Sequence, residues 1–319
     1  MLLNNFIKLI LGKKFLHMVL GIDIGGTTIK CALVSPSGEI TEKEVIDTKE
    51  AADKGQFVEK LGEIIQDYKG KNPSLLGVGI GFPGLISKDR ESIVGLANIP
   101  SVENQNVVQK LAQIVPDFPV KIENDAKCAT MAEKIFGDPS LDNYMFITLG
   151  TGVGSGLVLD NKMFLGAKGN ATEIGHMFTT TGKVLEHEVG LNQLGAYGVS
   201  CLAKPEFKDS VLQGKSSLSP KDMYDAAKQG DALSLHVFER AGTLIGETLV
   251  NVMRVLDIDT FLLGGGVSGA LEFFEPAARK KIVQELGTGY YTDKLVIKRA
   301  QLENEAGILG AASLVYHQN

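Results

Sequence analysis

The stretch EIGHMFTTTGKVLEHEVGLNQ, Glu173 to Gln193, gathers two imidazoles, His176 and His187, with three carboxylates, Glu173, Glu186 and Glu188. Such a set can ligate a metal, hold the hydroxyls of a substrate, or decorate a solvated loop. A second carboxylate stands out in END, Glu123-Asn124-Asp125, directly after the apolar run PVKI. There Asp125 can serve as a helix N-cap, or as a reactive carboxylate held at a strand end, or as both. Three glycine-rich runs complete the set: GIDIGGTT, GTGVGSG and LLGGGVSG. The first places Asp23 before Gly25, Gly26, Thr27 and Thr28; the second offers Thr151, Gly152, Gly154 and Ser155. Turns of this composition aim backbone N–H groups and hydroxyls at phosphate oxygens. A carboxylate at Asp23 can orient a hydrated Mg²⁺. The third run matches G-x-G-x-x-G as Gly264, Gly266 and Gly269. Alone it is a weak dinucleotide signal, and that scheme leaves the other two runs and the END and EIGH motifs unexplained.

The elements around these residues predict how they are held. In VLGIDIGGTTIKCALV the glycines are followed by β-branched and apolar residues, so the turn joins two strands rather than entering a helix. YMFITLGTGVGSGLVLD repeats the plan, which suggests two related domains beginning near residues 18 and 120. Ala52 to Lys69 is expected to be helical, with Phe57, Leu61, Ile64 and Ile65 on one face. LLGVGIGFPG reads as a buried strand; IENDAKCATMAEKIFG reads as a strand end and a helix capped by Asp125 and ended by Gly137. Leu218 to Leu256 is mostly helical, FLLGGGVSG enters a helix over Ala270 to Leu286, and NEAGILGAASLVYH closes the chain as a helix. Strands alternating with helices predict a mixed α/β architecture.

Bulk properties narrow the function classes. The 319 residues are 44% hydrophobic and 22% charged, the balance of a soluble globular protein with room for two domains. A net charge of -6 offers no general affinity for nucleic acid or an anionic membrane. Cys31, Cys128 and Cys201 are far apart, which predicts reduced thiols and a cytoplasmic setting. The apolar and basic start, MLLNNFIKLILGKKFLHM, is interrupted by Lys8 and lacks a small-residue cleavage site; it is too short and too charged to span a bilayer. Residues 1–17 are read as an extension, with Met18 an alternative start.

GIDIGGTTIKCALV, GVGIGFPGLIS, IENDAKCATMAE, FITLGTGVGSGLVLD, EIGHM and LLGGGVSG occur in this order. Together they make the chain, from Met18 onward, resemble the ROK family of repressors, open reading frames and sugar kinases. The resemblance implies a two-domain actin-like ATPase (ribonuclease H-like) fold with duplicated mixed sheets and an interdomain cleft. The expected domains are 18–119, completed by a C-terminal helix near 301–319, and 120–300. The implied activity is ATP-dependent phosphorylation of a hexose hydroxyl, most often the 6-hydroxyl of glucose, with fructose, mannose or an N-acetylhexosamine as alternatives. Asp125 would be the general base. Asn124, Asp125, Glu173 and His176 would bind the sugar, with Gly84 of FPG and Asn98 of LANIP as further candidates. Asp23, Gly25, Gly26, Thr27, Thr28, Lys30, Thr151, Gly152 and Gly154 would bind Mg-ATP, Asp23 reaching Mg²⁺ through water, and Gly265 and Gly266 would pack near the adenosine. A homodimer is the implied assembly.

The departures from the family pattern are informative. Many members hold zinc through the histidine of EIGH and three cysteines shortly after it. Here Glu186, Glu188 and Gln193 stand at those positions, an oxygen-rich set for which no structural zinc is expected. The last sugar-binding glutamate of the family falls, without gaps, on Gly195, which has no side chain. A shortened loop would give that role to Glu186, with Glu188 the runner-up, and leaves His187 as a surface residue. Family regulators carry an N-terminal helix-turn-helix, for which seventeen residues before Met18 are too few. A non-catalytic sugar-sensing regulator and a sugar-binding protein of weak catalytic power are the alternatives.

Overall fold

The apolar alternation of VLGIDI builds a strand whose two faces have different jobs. In the computed structural model, which describes residues 17–52, 56–96 and 99–317, this strand is β1 (Val19–Ile24). The extension assigned to residues 1–17 lies outside the described residues apart from His17, and so does Asn98. β1 turns back into β2 (Thr28–Val34), which pairs with β3 (Ile40–Asp47). β4 (Val78–Phe82) lies parallel to β1. A small sheet follows, of β5 (Leu85–Ile86), β6 (Ser92–Gly95) and β7 (Gln105–Asn106). β8 (Val120–Asn124) then pairs parallel to β4, completing the order β3-β2-β1-β4-β8.

Successive side chains on a strand point to opposite faces. Leu20, Ile22 and Ile24 therefore share one apolar cluster with Ile80 and with Phe57, Leu61, Ile64 and Ile65 of helix Phe57–Lys71. Gly21 and Asp23 point the other way, against helix Ala306–Tyr316 at Ile308 and Gly307 respectively. Both faces of the central strands are covered, which accounts for their nearly continuous apolar sequences.

The second large sheet repeats this plan. β9 (Tyr144–Leu149) and β10 (Val153–Leu159) form an antiparallel hairpin, with β11 (Lys162–Met163) at the edge. β12 (Thr260–Gly264) lies parallel to β9, and β13 (Val296–Arg299) parallel to β12. Met145, Ile147 and Leu149 share a core with Phe261, Leu263 and the long helix Ala232–Leu256. Asp231 caps that helix by accepting from Ser234 N at 2.9 Å, and Asp257 ends it in the left-handed region at φ 52°. Helix Leu271–Leu286 packs along it.

The chain divides into two compact units, residues 1–141 with 163–171 and 304–319, and residues 142–162 with 172–303. Val120–Asn124 is hydrogen-bonded to β4, and the helix that follows it packs on the C-terminal helix, so both belong to the first unit. Among the described residues, no helix is long and apolar enough to cross a membrane. Cys31, Cys128 and Cys201 are buried free thiols.

Candidate active site

In the first unit, β8 runs out at Asn124 and helix Asp125–Ala132 begins on the next residue. The sequence reading made Asp125 the cap; the structure gives that role to Asn124, whose Oδ1 accepts from Lys127 N at 3.1 Å. The ladder decides it, because Asn124 still pairs with Phe82 and so has the extended backbone a cap needs. Asn124 Nδ2 also donates to the Gly84 carbonyl at 3.1 Å, which fixes the amide plane and uses its acceptor and one of two N–H groups. Asp125 becomes the first helical residue, half-buried, with Oδ1 accepting from Ala126 N at 2.8 Å.

Glu123 supports this junction from behind. It is buried, accepts from Asn124 N at 2.7 Å, and pairs with Arg90 Nε at 3.0 Å. Burial pushes its carboxyl up and the Arg90 charge opposes that rise. Arg90 also donates to Gly169 O at 2.7 Å, while Asn170 both accepts from Ile86 N and donates to Ile86 O. Arg90 and Asn170 had no distinguishing signal in the sequence, since each is an ordinary polar residue in a loop.

The glycine turn at Gly25 closes through Gly25 N to Thr28 O at 2.8 Å, and Thr48 hydrogen-bonds both Gly25 and Thr27. Asp23 and Lys30 face each other across β1 and β2, with Nζ 3.5 Å from Oδ2. Burial pushes the Asp23 carboxyl above its ordinary range, and Lys30 counters it. Gly307 is the close neighbour no motif indicated: a Cβ added there would lie 2.5 Å from Asp23 Oδ2.

In the second unit, the opening stretch is shaped by a short hairpin. Thr179 N donates to Lys183 O at 2.9 Å and Gly182, at φ 80°, donates its N–H to Thr179 O; Phe178 bridges Val184, and Leu185 N reaches Met177 O at 2.9 Å. The hairpin joins a 3-10 turn, Ile174–His176, to a single helical turn, Glu186–Val189. That fold-back brings His176 to Glu186, Nε2 to Oε1 at 3.3 Å, while His176 Nδ1 faces Glu173 Oε2 at 3.7 Å. Thr172, just before Glu173, is held at φ 74°, an uncommon region for a β-branched residue. Two hydrogen bonds with Ser155 of β10 fix it there.

Glu186 and Glu188 have different environments. Glu186 is a quarter exposed and lies beside the second glycine turn, its Oε2 2.9 Å from where a Gly152 Cβ would stand. Glu188 is only 5% exposed, ion-paired with Arg240 and accepting from Thr181 Oγ1 at 2.7 Å. His187 is exposed, 3.9 Å from Glu186. Gly195 is buried on helix Leu191–Cys201 against the Leu218 carbonyl, so no side chain could act from that position. Thr151, Gly152 and Gly154 occupy the β9–β10 turn, which Leu191 N ties to Gly150 O at 2.8 Å. Gly265 follows β12 at φ 81° with its carbonyl accepting from Ser268, and Gly266 opens the 3-10 turn Gly266–Ala270. Among the described residues, no group of three or more His, Cys, Asp or Glu has metal-holding geometry.

Residues 19–318 match the description of the ROK family. The chain belongs to the ROK family. It is 30% identical to a glucokinase of Halalkalibacterium halodurans over 318 residues, covering 93% of this chain and 94% of that one. It is equally 30% identical to an N-acetylmannosamine kinase of Yersinia pseudotuberculosis over 294 residues, covering 92% and 96%. Among solved structures it is similar to a ROK family glucokinase from Streptomyces griseus in complex with glucose and AMPPNP. There the TM-score is 0.78 and the identity 28%, over 93% of this chain and 98% of that one. The two sheets, each a hairpin extended by parallel strands, are those of the actin-like ATPase fold of ROK sugar kinases.

Proposed function

We propose that this ROK protein is a sugar kinase that phosphorylates a hexose from Mg-ATP, most readily glucose at its 6-hydroxyl. Asp125 takes the proton of that hydroxyl as its oxygen attacks the γ-phosphorus, and the bond to ADP breaks. The strand-to-helix junction suits this role, because the Asn124 cap and the Glu123 hydrogen bond hold the backbone from which the Asp125 side chain projects. Glu173, His176 and Glu186 take sugar hydroxyls, and the imidazole between two carboxylates can donate to one while the others accept. Asn124 presents its second N–H to the sugar.

The turns Gly25–Thr28 and Thr151–Gly154 bind phosphates, with Lys30 adding charge and Gly265 and Gly266 near the adenosine. Mg²⁺ fits the donor set at Asp23: one carboxylate, raised by burial, which a hydrated cation would help to ionise. When bound, Mg²⁺ neutralises charge on the transferring phosphates. The protein is proposed to act as a cytoplasmic homodimer.

The observation that carries the sugar assignment is the Glu173–His176–Glu186 cluster, from which Glu188 is withdrawn by Arg240. A coupled ADP-release assay across glucose, mannose, fructose and N-acetylated hexosamines tests it. Turnover highest on glucose is the expected result; no turnover on any sugar removes the kinase reading. N-acetylmannosamine is the second reading, since the similarity to both kinds of relative is equal. The same panel decides between them.

A further inference from the structure

The cluster at His176 depends on a helical turn of only four residues, Glu186–Val189, reached through a hairpin of threonines. Neither is a self-sufficient element: one turn of helix is unstable alone. Apolar burial of Leu185 and Val189 anchors the turn but leaves its rotation to finer contacts. Those contacts are polar and converge on helix Ala232–Leu256. Arg240 pairs with Glu188 and lays its guanidinium over the Tyr197 ring, 4.2 Å from the centroid. Tyr197 is in turn hydrogen-bonded to His236 at 3.1 Å. On the hairpin, Thr181 donates to Glu188 at 2.7 Å and lies 2.9 Å from Thr179 Oγ1. Two turns further along the long helix, Glu247 accepts from Thr180 Oγ1 at 2.9 Å.

We infer that Arg240, Glu188 and Thr181 form a clamp that sets the sugar affinity by positioning Glu186 against His176. The geometry assigns opposite tasks to the two glutamates. Residues two apart on a helix point away from each other, so fastening Glu188 to the long helix turns Glu186 outward to the imidazole. Arg240 suits the task because its planar fork can bond a carboxylate and stack on a ring together, which a lysine cannot do. These are positioning residues; none of them needs to touch the sugar.

The inference rests on the sugar kinase reading, and its test keeps the two apart. Arg240→Met retains the stem over Tyr197 and loses the ion pair. With the Met variant shown folded by its thermal transition, the KM for the best hexose should rise about tenfold, since a small misplacement of a binding group is costly. The KM for ATP should stay within about twofold, and Arg240→Lys should recover only part of the loss. Thr181→Val removes a single hydrogen bond and should raise the hexose KM about threefold; it carries the test if the Met variant does not fold. An unchanged hexose KM, or hexose and ATP KM values rising together, overturns the clamp. Absence of turnover in the unaltered protein would instead remove the kinase reading.

Discussion

Asp125 and Glu186 are the two carboxylates on which the proposed chemistry turns, and they are held by different means. Asp125 sits where a sheet strand becomes a helix. The β4–β8 ladder, the Asn124 cap and the helix itself fix its backbone, so the surrounding side chains only refine a position already set. Glu186 sits on one helical turn between a threonine hairpin and a glycine-bounded helix. Its direction is set by side chains, chiefly the Glu188–Arg240 pair, joined across 52 residues of chain. The first arrangement is rigid because the backbone is rigid. The second is adjustable, and single side-chain changes should move it.

The largest expected effect lies at the rigid end of that contrast. Asp125→Ala should lower kcat by about a thousandfold, within the range that a general base contributes. The KM for ATP should stay near its original value, because the β4–β8 ladder and the Asn124 cap fix the backbone of the junction. Steady-state kinetics on the preferred hexose checks it, and a near-normal kcat would remove Asp125 as the base.

At the adjustable end, Glu186→Gln removes a charged hydrogen-bonding group from the cluster. The sugar KM should rise about 10- to 100-fold, the equivalent of losing a charge-assisted hydrogen bond. Thermal stability should hardly change, because Glu186 is partly exposed and, among the described residues, its side chain is ion-paired only with the exposed His176 and His187. The contrast breaks if Glu188→Gln raises the sugar KM more than Glu186→Gln does.

A smaller effect is expected at Gly307, where the C-terminal helix meets Asp23 closely. A methyl group there, as in Gly307→Ala, must displace the carboxylate or the helix. The KM for Mg-ATP should rise about fivefold, with the sugar KM unaltered, as for a slightly misplaced ligand. Titrating Mg²⁺ at fixed ATP checks whether the loss is in the metal-dependent step. Equal changes in the ATP and sugar constants would mean that the helix, rather than Asp23, has moved.

What could be read from the sequence divides along the same line. Both glycine turns, the END motif and the helices at each end follow from local spacing, and the strands and helices form where those patterns lie. The cap was misplaced by one residue because Asn and Asp are equally good caps, and only the pairing of Asn124 with Phe82 decides between them. Nothing local in PVKI says which sheet the strand joins. Glu186 and Glu188 could not be separated in sequence, since the difference is made by Arg240, one of many charges on a long amphipathic helix. Arg90 likewise declares itself only through Glu123 and Gly169.

The smallest expected effect is in stability, and it separates the two glutamates by pH. Burial disfavours a charge on Glu188, but hydrogen bonds from Arg240 and Thr181 outweigh it and hold the carboxyl below its ordinary value of 4.5. A depressed value in the folded state means that the unfolded chain takes up the proton first as pH falls. The stabilisation is therefore complete above about pH 5 and disappears as pH drops below 4.5 through the folded value. Replacing Glu188 by Gln leaves Arg240 with a neutral partner, which should cost about 1–2 kcal/mol at pH 7, since a hydrogen bond to a charged group is worth more than a neutral one. The difference in unfolding free energy between the two proteins, measured by urea titration, should shrink steadily below pH 4.5. A gap that stays constant into acid would mean that Glu188 is held by packing rather than by its charge, and Glu186 would then owe its direction to the apolar anchors Leu185 and Val189.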